Sequence, residues 1–112
     1  MKLITAVIKP VKLEEVCEAL MQLGIVGLTV MEVRGYGRQR GRSELYSGGD
    51  YTVHLLPKLQ IEVAVAEDML ESAVDVIVTA AQTGRVGDGK IFVSELSEVV
   101  RIRTRETGPD AL

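Results

Sequence analysis

The run Thr83 to Lys90 (TGRVGDGK) carries the densest chemistry in the chain, and what it offers is a place for an anion. From Gly84 it satisfies G-x-x-x-x-G-K, in which glycines let backbone N–H groups converge on phosphate oxygens and the lysine adds a point charge. A nucleoside-triphosphate hydrolase would continue with Ser or Thr to ligate magnesium, whereas the next residue here is Ile91. The run also leads from a helical pattern into a strand pattern, the reverse of the strand-to-helix order of a hydrolytic phosphate loop. That excludes the hydrolase loop and leaves the phosphate cradle. The same residues also fit a plain helix-to-strand turn, with Gly84 as the helix C-cap and Asp88-Gly89 as a turn pair.

Arg101 and Arg103 strengthen the cradle reading. Residues two apart on a strand project to one face, so an extended Val99 to Arg103 would present paired guanidiniums suited to polyphosphate oxygens. The competing role is a charged edge strand that guards against aggregation. Arg34, Arg38, Arg40 and Arg42 admit an RNA-binding reading, but a base-stacking sheet needs aromatics on its central strands, and the chain has one Phe and no Trp. Catalysis finds little material. His54 is the only histidine, with no Ser, Asp or second His at a spacing that would complete a nucleophilic or metal-binding set. The lone Cys17, among Leu13, Val16 and Leu20, reads as a core thiol.

The elements that must position these groups follow from periodicity. Lys2 to Lys9 is an apolar strand closed by Pro10. Val11 to Leu23 places Leu13, Val16, Cys17, Leu20 and Leu23 on one helical face, with Gly24 as its stop. Leu28 to Val33 and the alternation Leu59, Ile61, Val63, Val65 predict two further strands. Glu67 to Ala81 predicts a second helix with acidic residues at its N-terminus. Ile91 to Val93 is the last regular strand, followed by Val99 to Arg103 as a further strand or extension. The order βαββαβ predicts an α+β, ferredoxin-like sandwich, with both helices on one face of an antiparallel sheet. Gly37 to Leu55 lacks apolar periodicity and is longer than compact domains ordinarily use, which marks it as a partner-binding excursion carrying Tyr46 and Tyr51. An acylphosphatase-like hydrolase on the same fold is the alternative; it would use an arginine loop but would not need this excursion.

At 112 residues with no internal linker, the chain reads as one domain, residues 1–112. A net charge of −3 argues against general nucleic-acid binding. No apolar stretch approaches bilayer length and Met1 to Ile4 has no export signal, so a soluble, cytoplasmic protein is expected.

Several stretches, in order, resemble the PII nitrogen-regulatory signalling family: IKPVKLEEV, EVRGYGRQRG, ELYSGGDYTVHLLPK, AQTGRVGDGKIFV and RIRT. The resemblance implies a non-catalytic homotrimer that binds ATP or ADP in each inter-subunit cleft, with 2-oxoglutarate beside the nucleotide's magnesium ion. By position, Gly87, Asp88, Gly89 and Lys90 would cradle phosphates, with Arg101 and Arg103 from across the cleft and Gly37 and Arg38 at the loop base. Thr29 and the backbone near Glu62 and Ala64 would hold the adenine. Gln39 would complete the magnesium shell and, with Lys58 and Gly87, hold 2-oxoglutarate. A dicarboxylate next to a triphosphate is tolerable only with a metal and a cation between them, and Lys58 is that cation. The implied partners are nitrogen-metabolism enzymes, regulators or an ammonium-transport channel, met through the loop 37–55. Tyr51 matches a nucleotidylation site of many relatives. Gly49 replaces the serine phosphorylated in cyanobacterial relatives, Ser47 stands where channel-blocking relatives usually carry arginine, and His54 is also atypical.

Overall fold

The computed structural model describes residues 1–36, 44–45, 52–53 and 55–112. Strand β1 (Lys2–Ile8) buries Ile4, Ala6 and Ile8 on one face and turns Leu3, Thr5 and Val7 to the other, the period-two pattern its sequence dictates. Pro10, whose fixed φ suits a first helical position, begins a 3-10 turn over Pro10–Lys12, so helix α1 is shorter than the periodicity predicts and covers Leu13–Gln22. Gly24, at φ 85°, takes the left-handed conformation that ends a helix, and its N–H donates to the Met21 carbonyl at 2.9 Å.

Strand β2 (Thr29–Tyr36) and strand β5 (Leu55–Val65) both run longer than the apolar patterns indicate. The reason is mutual: Arg34, Gly35 and Tyr36 pair with Pro57, Leu56 and Leu55, so backbone hydrogen bonding carries the ladder past the last core-facing side chain. Between them, β3 (Glu44–Leu45) pairs antiparallel with β4 (Thr52–Val53). A second 3-10 turn, Glu67–Met69, leads into helix α2 (Leu70–Ala81), and β6 (Gly89–Glu95) returns along β1.

The main sheet has the order β2-β5-β1-β6 with antiparallel neighbours, as the ferredoxin-like expectation requires. Both helices lie on one face. Ile4, Ala6, Ile8, Ile61, Val63 and Val65 from the sheet meet Val16 and Leu20 of α1 and Ala73, Ile77 and Ala81 of α2 in one buried core. Each fully buried aliphatic side chain of this kind contributes roughly 1.5–3 kcal/mol. Among the described residues the opposite sheet face has no such cover: Phe92 of β6 is 56% exposed, and Thr29 and Met31 of β2 are also exposed there.

The expected strand over Val99 to Arg103 is not formed. The last ladder contact of β6 with β1 is the Leu96 N–H to the Met1 carbonyl. The chain bonds to itself instead. Val100 forms a single bridge with Thr107, the Arg101 N–H donates to the Glu106 carbonyl at 2.9 Å, and the Arg105 N–H donates to the Arg101 carbonyl at 2.8 Å. Arg105 takes φ 63° at the bend, and a final 3-10 turn covers Gly108–Ala111. Arg101 and Arg103 therefore sit on a turn, and the shared strand face inferred for them does not exist.

Candidate functional site

The turn between α2 and β6 is built around one carboxylate. Asp88 Oδ2 accepts the Thr83 N–H at 2.8 Å and the Gly84 N–H at 2.9 Å, while Asp88 Oδ1 accepts the Thr83 hydroxyl. The Lys9 ammonium lies 3.1 Å from Asp88 Oδ1 and donates to Thr83 Oγ1 at 3.1 Å. The Arg85 N–H closes on the same hydroxyl at 3.2 Å. The Thr83 hydroxyl and amide, followed by Lys9 and the Gly84 amide, outweigh desolvation and hold the Asp88 carboxyl well below the usual carboxylate range. Helix α2 itself is capped at Gln82, whose N–H donates to the Val78 carbonyl at 2.9 Å. Gly84 lies beyond that cap, at φ 82°, so it serves the turn and not the helix end.

Glycine is required here for two different reasons. Gly87 adopts φ 102° and Gly89 φ 104°, a region that L side chains avoid. At Gly89 space is also absent, because a Cβ would stand 1.7 Å from the Val7 carbonyl oxygen.

Lys58 completes the arrangement from β5. It is 8% exposed, on the sheet face away from the helices, and its ammonium donates to the Gly87 carbonyl at 2.6 Å. Burial, then the neighbouring Lys9 ammonium, push its pKa down, against a smaller opposing pull from Asp88. With the Gly87 carbonyl turned to Lys58, the planar trans peptide directs the Asp88 N–H the opposite way. Gly35 on β2 leaves room for this lysine, since a Cβ there would come within 3.2 Å of Lys58 Cγ. A cleft of about 310 Å³ adjoins the turn, where Asp88, Gly89 and Lys90 meet an apolar wall that includes Val7, Ile77 and Ala81.

The expected site residues fall into three groups. Lys58, Gly87, Asp88, Gly89 and Lys90 come together at one end of the sheet. Thr29, Glu62 and Ala64 lie along the uncovered face, Thr29 directly opposite Glu62 in the β2–β5 register. Thr29 and Lys90 stand on opposite edge strands, three strand spacings or about 14 Å apart across the sheet. Arg101 and Arg103 follow β6 at its far end, the seven-residue length of β6, about 20 Å, from the Gly87 turn. Arg101 Nη1 donates to Glu106 Oε1 at 2.8 Å and Nη2 to the Leu112 carbonyl oxygen at 3.0 Å, and Thr104 Oγ1 braces the same Glu106 oxygen at 2.7 Å. Gly37, Arg38, Gln39 and Tyr51, with Ser47, Gly49 and His54, lie outside the described residues. Among the described residues no cluster of three His, Cys, Asp or Glu side chains could hold a metal ion.

Residue-type reasoning overlooked Lys9, the structural use of Thr83, and Glu106. Glu106 was within reach, being a carboxylate five positions from Arg101. Lys9 and Thr83 are 74 positions apart, and only the β1–β6 pairing unites them.

Residues 1–106 match the protein family described as "Nitrogen regulatory protein P-II". The chain is 57% identical to nitrogen regulatory protein GlnK of Escherichia coli (strain K12), over 112 residues that cover all of both chains. It is 59% identical to nitrogen regulatory protein P-II of Mesorhizobium japonicum and 56% identical to that of Cereibacter sphaeroides, again over the full length of both chains. A ferredoxin-like sandwich, a family match over residues 1–106 and full-length identity to these relatives place the chain in the nitrogen regulatory protein P-II family.

Proposed function

We propose that this chain senses ATP or ADP together with 2-oxoglutarate in clefts between the subunits of a homotrimer, and reports their occupancy to nitrogen-metabolism partners through the loop 37–55. The family is one of regulatory proteins, and the chain is a regulator, not an enzyme. The observation that carries the nucleotide reading is the turn Gly87 to Lys90. Its Gly87 carbonyl is turned to Lys58, its Asp88 carboxylate is tied back to Thr83 and Gly84, and Lys90 follows on β6. Such an array binds polyphosphate by amide hydrogen bonds and fixed positive charge.

Two features favour completion of each site by a second copy. The adenine candidates Thr29, Glu62 and Ala64 and the arginines Arg101 and Arg103 lie apart from the turn within one chain. The sheet face bearing Phe92, Met31 and Thr29 is also left for a neighbour to cover. Magnesium binds mainly through phosphate and carboxylate oxygens and needs few protein ligands, a role in which Gln39 would assist. Lys58, a buried cation beside the turn, suits one carboxylate of 2-oxoglutarate, and occupancy there would select among arrangements of the loop 37–55. Tyr51 would be the position of covalent nucleotidylation.

Calorimetry with ATP, then with ATP, magnesium and 2-oxoglutarate, tests the reading. Nucleotide binding, synergy with 2-oxoglutarate and negligible phosphate release are expected, with light scattering at three times the chain mass. In Lys58→Ala the 2-oxoglutarate response disappears while ATP still binds. Rapid phosphate release without synergy would exclude the sensor.

A further inference from the structure

We propose that Lys9 is a positioning residue of the phosphate cradle, cancelling the charge of Asp88 and holding that carboxylate away from a bound polyphosphate. The inference rests on the nucleotide reading above and adds to it a residue that touches no ligand.

Asp88 is the sole acidic side chain between Thr83 and Lys90, and it sits in the middle of a turn proposed to receive several negative charges. An uncompensated carboxylate there would repel every phosphate. The sheet register supplies the remedy. Ile8 pairs with Leu59 on one side and Gly89 on the other, so one step further along the ladder Lys9 stands between Lys58 and Asp88. Its ammonium reaches both Asp88 Oδ1 and Thr83 Oγ1 at 3.1 Å, and its side chain is only 20% exposed. Each lysine thus has a separate task. Lys58 turns the Gly87 carbonyl aside, and Lys9 turns the Asp88 carboxylate toward the Thr83 and Gly84 amides. Asp88 in turn offsets the mutual repulsion of the two ammoniums, which acts on Lys58.

The test is a double-mutant cycle of Lys9→Met and Asp88→Asn, with Lys9→Arg as the charge-preserving variant, read by calorimetry with AMP, ADP and ATP at two salt concentrations. Lys9→Met is expected to weaken ATP binding on the order of tenfold, the loss expected for one charge-assisted contact. That loss should decrease from ATP to ADP to AMP and shrink with added salt. Lys9→Arg should bind ATP nearly as the wild type does, and Lys9→Met should cost little more in an Asp88→Asn background. An equal loss for all three nucleotides, with a lowered melting temperature, would make Lys9 a packing residue and overturn the proposal. Unchanged ATP binding in Lys9→Met would overturn it too. If the wild-type protein bound no nucleotide, the sensor reading itself would fall and this proposal with it.

Discussion

Two segments of this chain bear the positive groups that a nucleotide would need, and they are held differently: one is anchored to the sheet, the other to itself. The turn Thr83 to Lys90 is tied both to itself and to the sheet: Asp88 accepts from Thr83 and Gly84, while Lys9 at the end of β1 and Lys58 of β5 grip its carboxylate and one of its carbonyls. The tail after β6 is fixed from within, by contacts among Val99, Val100, Arg101, Thr104, Glu106 and Thr107. The turn is therefore preorganised by the fold before any ligand arrives. In the tail, Arg101 is already engaged by an internal carboxylate that a phosphate would have to displace or share. Under the proposed function, binding at the turn would draw on geometry already in place, whereas binding at the tail would be an exchange of anions.

Four substitutions probe that difference, beginning with the most severe. Gly89→Ala would drive a Cβ into the Val7 carbonyl at a positive φ, so the β1–β6 ladder or the turn must give way. The expected loss is about 3 kcal/mol or more in thermal or urea unfolding, with nucleotide binding lost. Gly84→Ala, at a similar φ but with nothing within 4 Å, should cost only about 1 kcal/mol. Equal costs at the two glycines would show that the turn yields as readily as a surface loop.

Asp88 gives the contrast a pH dependence. Its carboxyl is held below its ordinary value in the folded chain, so the stability it contributes is present at neutral pH. That contribution is lost as the pH falls below the ordinary aspartate value of 3.8. Asp88→Asn should therefore unfold more easily than the wild type near pH 7, and the gap should close in acid. A gap that is constant with pH would mean that the carboxylate's charge does not hold the turn.

The smallest effect is expected in the tail. Glu106→Gln removes the anion from Arg101 while leaving the Thr83 to Lys90 turn untouched. Nucleotide affinity should rise by a few-fold, since a half-exposed ion pair is worth about 1 kcal/mol or less. A fall in affinity would make Glu106 a scaffold for Arg101 and remove the distinction between preorganised turn and exchanging tail.

The alternation Leu59, Ile61, Val63, Val65 and the helical spacing of Val16 with Leu20 were enough to predict the sandwich, because periodicity in apolar side chains reports directly which face is buried. The glycines of the Gly84 to Lys90 turn were equally readable, since their φ values are a local property of the backbone. The extra length of β2 and β5 was not, because it comes from backbone pairing that leaves no side-chain period. Arg101 and Arg103 misled for a related reason. A strand needs a partner, and Val100 finds its own in Thr107 of the tail, a local closure that leaves no side-chain period.

The sequence by itself determined the main elements, the face each one buries, and the presence of a glycine-rich turn, all of which depend on neighbours a few positions apart. Tertiary structure alone decided that Lys9 meets Asp88, that Lys58 holds the Gly87 carbonyl, and that Arg101 closes on its own tail. Contacts between distant positions are set by sheet register and strand order, which no local spacing encodes.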